Sequence, residues 1–201
     1  MLLDFAALPP LERYKLFIGL VFPRPIALIS TRSANGVDNC APFSFFNVLS
    51  EDPPVVIVSF NQRRDGTPKH SFKNILRTGE FVVNLVDEAI ANGMHVSADE
   101  VPEEESEFAA AGFTPAPCVE VKHPRIAEAP ASFECRMLQH LELVRGRDFV
   151  FGEVLQVHVR DGLVDPASKR VSEDYRPVGR LYANRYCTTR QRFDLPGALP
   201  E

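Results

Sequence analysis

The chain has 201 residues, of which 45% are apolar, and its formal net charge is −5. This length suits one hydrophobic core, so we expect a single domain over residues 1–201, and the acidic balance disfavours nucleic-acid binding. The longest apolar runs, such as residues 55–58, are far shorter than the roughly 20 residues of a membrane helix, and residues 1–10 do not resemble a signal peptide. We therefore expect a cytoplasmic protein with no membrane segment.

The first predicted elements are a helix and a β-hairpin. The sequence PLERYKLFIGL predicts a helix at Pro10–Leu20, and residues 27–29 (ALI) have the composition of a buried strand. Asn35-Gly36 is a strong signal for a two-residue hairpin turn, after which residues 41–47 (APFSFFN) are expected to resume extended structure. The two strands should therefore pair. Periodicity alone indicates no more than an ordinary hairpin of an all-β core.

Small polar groups interrupt the apolar character of the second strand of this hairpin. Ser44 and Asn47 supply hydrogen-bonding side chains beside three phenylalanines. Side chains alternate across an extended strand, so Phe43 and Phe45 are expected on one side, and Ser44 and Phe46 on the other. This combination of apolar surface and small polar groups suits the binding of a flat aromatic cofactor.

Positive charge is concentrated between residues 61 and 79 (NQRRDGTPKHSFKNILRTG). Five basic residues stand against one acidic residue there, which gives a local charge of +4 in a chain that is acidic overall. Predicted strands at residues 54–60 and 80–86 anchor both ends. An anionic ligand would be attracted to this segment. The basic residues are Arg63, Arg64, Lys69, Lys73 and Arg77, and the acidic residue is Asp65.

The same segment contains the signals of a helix. Thr67 can cap its start, Pro68 suits its first position, and Gly79 can end it. Three side chains at helical spacing predict a buried face. These apolar residues are Phe72, Ile75 and Leu76.

A helix start with a lysine beside it can bind phosphate without a glycine-rich loop. The free backbone N–H groups of the first turn would lie beside Lys69, His70 and Ser71, and the helix dipole favours an anion at this end. The alternative is a solvated basic helix face. Because strands anchor both ends of the segment, we prefer the phosphate site.

Residues 99–107 (DEVPEEESE) contain six acidic residues among nine and interrupt the β-rich pattern. We interpret this segment as a solvated loop with a short helix over residues 106–111. An acidic docking surface and a lid over the ligand are the alternatives.

The cysteine and histidine residues show no metal-binding or hydrolytic pattern. The cysteines are widely separated without a C-x-x-C pair, so free thiols are expected. The five histidines lack H-x-H or H-E-x-x-H spacing, so no metal site is expected, and His158 is interpreted as a polar residue on a half-polar strand. No Ser/His/Asp order or nucleophile elbow supports hydrolysis. The cysteines are Cys40, Cys118, Cys135 and Cys187.

The chain carries an ordered series of motifs: RPIALIST, NCAPFSFFN, DPPVVIVSF, KHSFKNILRTGEFVVNLV, ECRMLQHLELV, FVFGEVLQVHV and RPVGRLYANRY. In this order they resemble the flavin reductase-like, FMN-binding split-barrel family, which includes the flavoredoxin-type proteins, over roughly residues 15–190. The resemblance implies a mainly β fold, a six-stranded antiparallel Greek-key split barrel with peripheral helices. It also implies a homodimer that binds FMN non-covalently near the subunit interface.

The resemblance also implies where the flavin would lie. Residues 41–47 would run along the isoalloxazine, and Lys69, Ser71 and Asn74 would approach the phosphate or its helix. Many relatives have an acidic residue followed by Thr where this chain has His70 and Ser71, and Ser71 keeps the hydroxyl. The expected flavin contacts are Thr31, Ala41, Phe43, Ser44, Phe46, Asn47, Arg64, Lys69, His70, Ser71 and Asn74.

The chemistry of such a protein is carried by the cofactor, so no catalytic side chain is expected. Arg64 is the expected cation for charge on the reduced ring. Arg180 and Tyr182, together with Tyr186, match a family segment near the active cleft and are assigned to substrate access.

The resemblance implies an FMN-binding flavin oxidoreductase, specifically an NAD(P)H-dependent flavin reductase. FAD in place of FMN, and the choice between NADH and NADPH, stay open. One alternative is a flavin-carrying electron-transfer or binding protein without nicotinamide turnover of its own. Another is a protein for a different phosphorylated ring compound, as in the pyridoxamine-phosphate-type oxidases that share the barrel. The expected partners are flavin, nicotinamide and a second copy of the chain.

Overall fold

A computed structural model describes residues 1–144 and 146–195 of the chain. None of the helices within these ranges has the length and apolar character needed to span a membrane. The helices are α1 (Pro10–Leu20), α2 (His70–Thr78), α3 (Ala91–Val96) and α4 (Glu107–Ala111), with a 3-10 turn at Glu88–Ile90. The strands are β1 (Ala27–Arg32), β2 (Asp38–Phe43), β3 (Phe46–Glu51), β4 (Pro54–Asn61), β5 (Glu80–Leu85), β6 (Pro115–Ala116), β7 (Arg125–Ile126), β8 (Ala131–Val144), β9 (Arg147–Val159), β10 (Val178–Arg180) and β11 (Tyr186–Thr188).

Seven of these strands form one antiparallel sheet in the order β2-β1-β5-β8-β9-β4-β3. The long strands β8 and β9 pair at its centre, and the short strands pair separately as β6 with β7 and β10 with β11. The predicted mainly β fold with peripheral helices is confirmed, and the predicted helix at Pro10–Leu20 is present as α1. The sheet has seven strands where six were expected.

The extra strand arises from a break within residues 41–47. Strand β2 ends at Phe43 and β3 begins at Phe46, yet these two strands lie at opposite edges of the sheet. A link of two residues, Ser44 and Phe45, joins them, so the edges must approach each other. The backbone N–H of Ser59 in β4 donates to the Phe45 carbonyl at 2.8 Å. The expectation of one continuous extended segment is therefore wrong, and the break closes the sheet into a barrel.

The break also changes which phenylalanines share a side. Phe43 and Phe46 are both buried in the core of the barrel, although simple alternation placed them on opposite faces. Phe45 lies outside this core, where its ring contacts the guanidinium groups of Arg24 and Arg147. The predicted alternation is wrong because it assumed an unbroken strand, in which the period of two would hold.

Helix α2 begins later than predicted. Lys69, not Thr67, occupies its N-cap position, and no side chain caps the helix. The hydroxyl and backbone N–H of Thr67 instead donate to the Asp65 carboxylate at 2.6 and 2.9 Å. Such local bonds compete with helix capping and stabilise a turn. Gly79 ends the helix with a φ of 71°, in the left-handed region that favours glycine, as predicted.

Aromatic side chains pack inside the barrel and fix α2 on it. Phe60 of β4 contacts both Phe43 and Phe72, with ring centroids 4.5 and 5.5 Å apart. Phe72 and Ile75 form the buried face of α2, whereas Leu76, predicted in the same stripe, is 46% exposed. Burial of two large side chains on a nine-residue helix fixes the position of its N-terminus.

Helices α3 and α4 pack on a second apolar cluster. Met94 and Phe108 belong to this cluster together with Leu28 and Ile126, and all four side chains are buried. The two helices thereby fix both ends of the acidic segment at residues 99–106.

Three side chains from separate segments converge in a group that the sequence did not indicate. Potential ligand atoms of Cys118, Glu134 and His158 lie within 4.8 Å of one another. The fully buried Glu134 carboxylate accepts backbone N–H groups of residues 119–121 at 2.6 to 3.0 Å and contacts His158 Nε2 at 2.5 Å. These bonds hold residues 119–121 against β8. His158 is therefore the partner of a buried acid and not simply a polar residue on a half-polar strand. All four cysteines are free, as predicted.

The buried ring of His123 should make stability depend on pH. His123 Nδ1 accepts the backbone N–H of Arg32 at 2.9 Å, and Nε2 lies 3.0 Å from the Thr78 hydroxyl. Burial lowers the pKa of His123 below its ordinary value of 6.5. Below that pH the unfolded chain binds a proton that the folded chain does not, so the contribution is complete above pH 6.5 and is lost as pH falls.

We therefore expect the free energy of unfolding to decrease between about pH 7 and pH 5.5, with His123 contributing at most about 1.4 kcal/mol per pH unit. In His123→Gln this part of the slope should disappear. Urea unfolding at several pH values measures both proteins. Parallel curves for the wild type and the variant would contradict the assignment.

Candidate functional site

The cavity beside the link that joins the two sheet edges contains most of the candidate site, and we call it the main cavity for that reason and not for its size. Its volume is about 370 Å³. The walls come from the end of β2 and the link, from β4 and β9, from α1, and from the β10–β11 hairpin. The uncharged side chains that line the cavity include Tyr14, Phe43, Ser44, Phe45, Ser59, Asn61 and Tyr186.

Three arginines from three parts of the chain line this cavity: Arg24, Arg147 and Arg180. No acidic residue is among the described residues that line it. Within the described part of the chain, the three guanidinium groups donate hydrogen bonds to carbonyls and hydroxyls. The cavity therefore carries positive charge that no neighbouring carboxylate of the described chain neutralises.

Among these three arginines, Arg24 mainly holds separate parts of the chain together. It is 8% exposed, and it donates to the carbonyls of Ile18, Val21 and Leu181 at 3.0, 2.7 and 2.6 Å. Burial lowers the pKa of Arg24. Its guanidinium joins the end of α1 to the segment after β10, so it fixes two walls of the cavity.

Arg147 is less committed to protein partners. Its Nη1 donates to the Ser59 hydroxyl at 3.2 Å, and its guanidinium carbon lies 5.0 Å from the centre of the Phe45 ring. Burial lowers the pKa of Arg147. Arg180 packs on the Tyr186 ring and donates to the Tyr186 hydroxyl and the Ala183 carbonyl.

A second cavity adjoins the first at the basic turn, which we define as residues 63–70. Asn61 and Ala98 line both cavities, and Arg63, Arg64 and Lys69 line the second. The first-turn N–H groups of α2 begin here, and no side chain caps them. We refer to the two adjoining cavities together as the groove, which extends from the arginine-lined cavity to Lys69 at the uncapped start of α2.

The acidic segment lies against the basic turn and is not simply solvated. Lys69 Nζ is 2.5 Å from Glu100 Oε1, and Lys73 Nζ is 2.6 Å from Glu103 Oε2. Hydrogen bonds from these lysines lower the pKa values of Glu100 and Glu103. Residues 99, 100, 102, 104 and 105 are exposed, as a solvated loop implies, and the predicted short helix is present as α4, but Glu100 also pairs with Lys69, the lysine that the sequence assigned to phosphate.

His70 lies at the same place. Arg63 Nη1 is 2.7 Å from His70 Nε2. Burial, and then the charge of Arg63, lower the pKa of His70. A neutral ring can accept the guanidinium N–H, so His70 orients Arg63 beside the helix start.

Beneath the basic turn a buried polar network joins α2 to the first hairpin. The Ser71 and Thr31 hydroxyls lie 2.9 and 3.2 Å from Asn39 Oδ1, and Asn74 Nδ2 donates to the Thr31 hydroxyl at 3.1 Å. Asn39 Nδ2 in turn donates to Glu107 at 2.8 Å. Three residues expected at the flavin, Thr31 on β1 and Ser71 and Asn74 on α2, are thus buried in this network, which positions the helix.

Asn39 and Glu107 were not among the predicted site residues. Burial raises the pKa of Glu107, and the backbone N–H of Cys40 also donates to it at 3.3 Å. Asn39 pairs with Thr31 in the hairpin register, so a polar pair on adjacent strands was the available signal. Glu107 gave no such signal because it comes from the far end of the acidic segment.

The other predicted contacts are divided among different surroundings. Phe43 and Ser44 line the main cavity, and Ala41 lines a smaller pocket beside Lys69 and His70. Phe46 is in the barrel core, and Asn47 is exposed on β3. Arg64 is exposed at the second cavity.

The residues assigned to substrate access also separate. Arg180 and Tyr186 line the main cavity. Tyr182 is 42% exposed and packs on Arg185 outside it. Arg24 and Arg147 were not predicted because they are distant along the chain; Arg24 opens the motif RPIALIST, but nothing in that motif marks it as a cavity residue.

Comparison with known proteins assigns most of the chain to one family. The model of the flavin reductase-like domain matches residues 19–188. An uncharacterised protein of Aquifex aeolicus is 46% identical over 173 residues, which cover 86% of this chain and 88% of that protein.

Two solved structures are similar over nearly the full length. The crystal structure of 2-nitrobenzoate 2-nitroreductase from Pseudomonas fluorescens has a TM-score of 0.89 and 35% identity, and the similarity covers 100% of this chain and 99% of that one. A split barrel domain protein from Shewanella frigidimarina has a TM-score of 0.80 and 27% identity, with 96% of each chain covered.

Proposed function

Since the chain belongs to the flavin reductase-like domain family, we propose that it is an FMN-binding flavin oxidoreductase that takes electrons from NADH or NADPH. The observation that carries this proposal is the groove between the two cavities. One end offers aromatic and polar surface along residues 42–45, and the other offers three cations at an uncapped helix start. This spacing of features suits a mononucleotide with a flat head and a phosphate tail.

The phosphate would bind at the basic turn. The uncapped N–H groups of α2, Lys69 and Arg63 are donors that favour an anion, and the buried network of Asn39, Ser71 and Thr31 holds the helix in place. Ser71 acts through position, because its hydroxyl is directed to Asn39.

The flat ring would occupy the main cavity beside Ser44 and Phe45. When bound, FMN supplies hydride and electron transfer, which explains why this chain needs no acid, base or nucleophile of its own. The chain's task is to orient the ring and exclude water. Phe43 and Phe45 supply apolar surface, and the Ser44 hydroxyl supplies a polar contact.

We also propose that the protein is a homodimer. Helix α1 has no buried residue, and three of its large apolar side chains are more than half exposed. A second copy is the occupant implied by the family resemblance. The side chains are Leu11 (62%), Phe17 (53%) and Leu20 (74%).

Removing the charge of Lys69 tests the phosphate site. In Lys69→Ala we expect FMN affinity to fall about tenfold, because a charge-assisted contact contributes about 1.5 kcal/mol or more. Lys73→Ala is the matched control, since it removes the same charge one helical turn further on. Fluorescence titration of apoprotein with FMN measures both. Equal losses in the two variants would indicate general attraction in place of a site.

The acidic segment should compete with the ligand for the same lysine. In Glu100→Gln, Lys69 is released from its ion pair, and we expect FMN to bind roughly two- to fivefold more tightly, as suits a partly exposed pair worth under about 1 kcal/mol. Glu104→Gln removes an exposed charge from the same segment and should change affinity less. Weaker binding in Glu100→Gln would show that the pair supports the site.

Electron transfer from nicotinamide is tested with the FMN-loaded protein. Under anaerobic conditions we expect NADH or NADPH to bleach the visible absorption band of the bound flavin. The bleaching should be at least as fast as steady-state turnover. The preferred donor is the one that acts at lower concentration. If neither donor bleaches the band while dithionite does, the protein carries flavin without nicotinamide turnover, and the alternative of an electron-transfer protein stands.

A further inference from the structure

The arginines of the main cavity exceed what a bound flavin requires. We propose that Arg24, Arg147 and Arg180 form a binding site for the carboxylate of a small aromatic substrate, with Arg147 as its principal contact. The inference rests on the proposed function in one respect, since such a substrate would lie beside the flavin.

The charge balance of the cavity is the first support. Three guanidinium groups line it, and no acidic residue does so within residues 1–144 and 146–195. Other cations of this chain are in close contact with acids, as in Lys69 with Glu100 and Arg160 with Asp87. Three guanidinium groups around one cavity without a carboxylate form a cluster that an anionic ligand would complete.

The free donors of Arg147 are the second support. Among the described residues its guanidinium donates a hydrogen bond through Nη1 alone, whereas Arg24 is bonded through Nε and both terminal nitrogens. A planar guanidinium with free N–H groups on one edge matches the two oxygens of a carboxylate. Arg24 supplies long-range charge from a fixed position.

Aromatic walls indicate the rest of the ligand. Phe45 lies against the guanidinium groups of Arg24 and Arg147, with Tyr14 near its ring, and Tyr186 lies against Arg180. Arginine beside aromatic faces binds planar anions well, because the ring packs on the walls while the carboxylate meets the guanidinium.

The flavin itself does not account for this charge. Its phosphate is assigned to the basic turn, which has its own cations, and the oxidised ring system is uncharged. The diphosphate of a nicotinamide dinucleotide is the other organic anion that could enter. Titration with adenosine diphosphate distinguishes binding of this diphosphate from binding of a carboxylate substrate.

Benzoate is the probe, and benzamide is its uncharged counterpart of nearly the same shape. Calorimetric titrations use FMN-loaded and FMN-free protein. We expect the wild type to bind benzoate more tightly than benzamide, and Arg147→Met to weaken benzoate at least about tenfold with little change for benzamide. Arg147→Lys, which keeps the charge without the planar fork, should recover part of the loss. The control is Arg136→Met, which replaces an exposed arginine on β8 and should bind benzoate as the wild type does.

Several results would overturn the proposal. These are equal binding of benzoate and benzamide, unchanged benzoate affinity in Arg147→Met, or equal losses in Arg136→Met. If Arg147→Met lost affinity only for adenosine diphosphate, titrated in parallel, the three arginines would be assigned to the dinucleotide. If the variant lost affinity only for FMN, they would be assigned to the flavin. Failure of the wild type to bind FMN would refute the proposed function, whereas the FMN-free titrations would still decide the carboxylate site.

Discussion

Ser44 and Phe45 connect strands that lie at opposite edges of the same sheet, and the site depends on this short link. Two residues cannot span a flat seven-stranded sheet, so the sheet must curl until its edges approach. The curl places Phe43 and Phe46 together in the core and turns Phe45 outward between two arginines. The same geometry brings β4 and β9 beside the link. The main cavity is thus a direct consequence of how the barrel closes.

Electrostatic pairing distinguishes the two ends of the groove. At the basic turn, acids from residues 99–103 neutralise the lysines, so a ligand there must compete with the chain's own carboxylates. In the main cavity the arginines meet carbonyls, hydroxyls and aromatic faces. Burial already lowers the pKa values of Arg24 and Arg147, which reflects the cost of keeping charge there without a partner acid. At one end the chain's own acids pair with part of the positive charge, whereas the other end is open to an anion.

Buried polar groups hold these parts in position. Asn39 links Thr31, Ser71 and Glu107, so one amide connects the hairpin, α2 and α4. Residues that the family resemblance assigned to ligand contact therefore support the site from beneath. Loss of one member would leave the others buried without partners, which makes such networks sensitive to substitution.

Local patterns determined much of this protein: α1, the first hairpin, the strand on each side of α2, the glycine that ends α2, and the concentration of positive charge. These features depend on neighbours a few residues apart, and their physical causes act within one element. The ordered motifs also indicated the family correctly. Tertiary structure alone decided the break at Ser44 and Phe45, because a strand's continuity depends on where its partners lie. It also decided that the acidic segment covers Lys69, that Cys118, Glu134 and His158 meet, and that Arg24, Arg147 and Arg180 line one cavity. Such long-range contacts arise from how the sheet folds back on itself, and residue spacing carries no information about that.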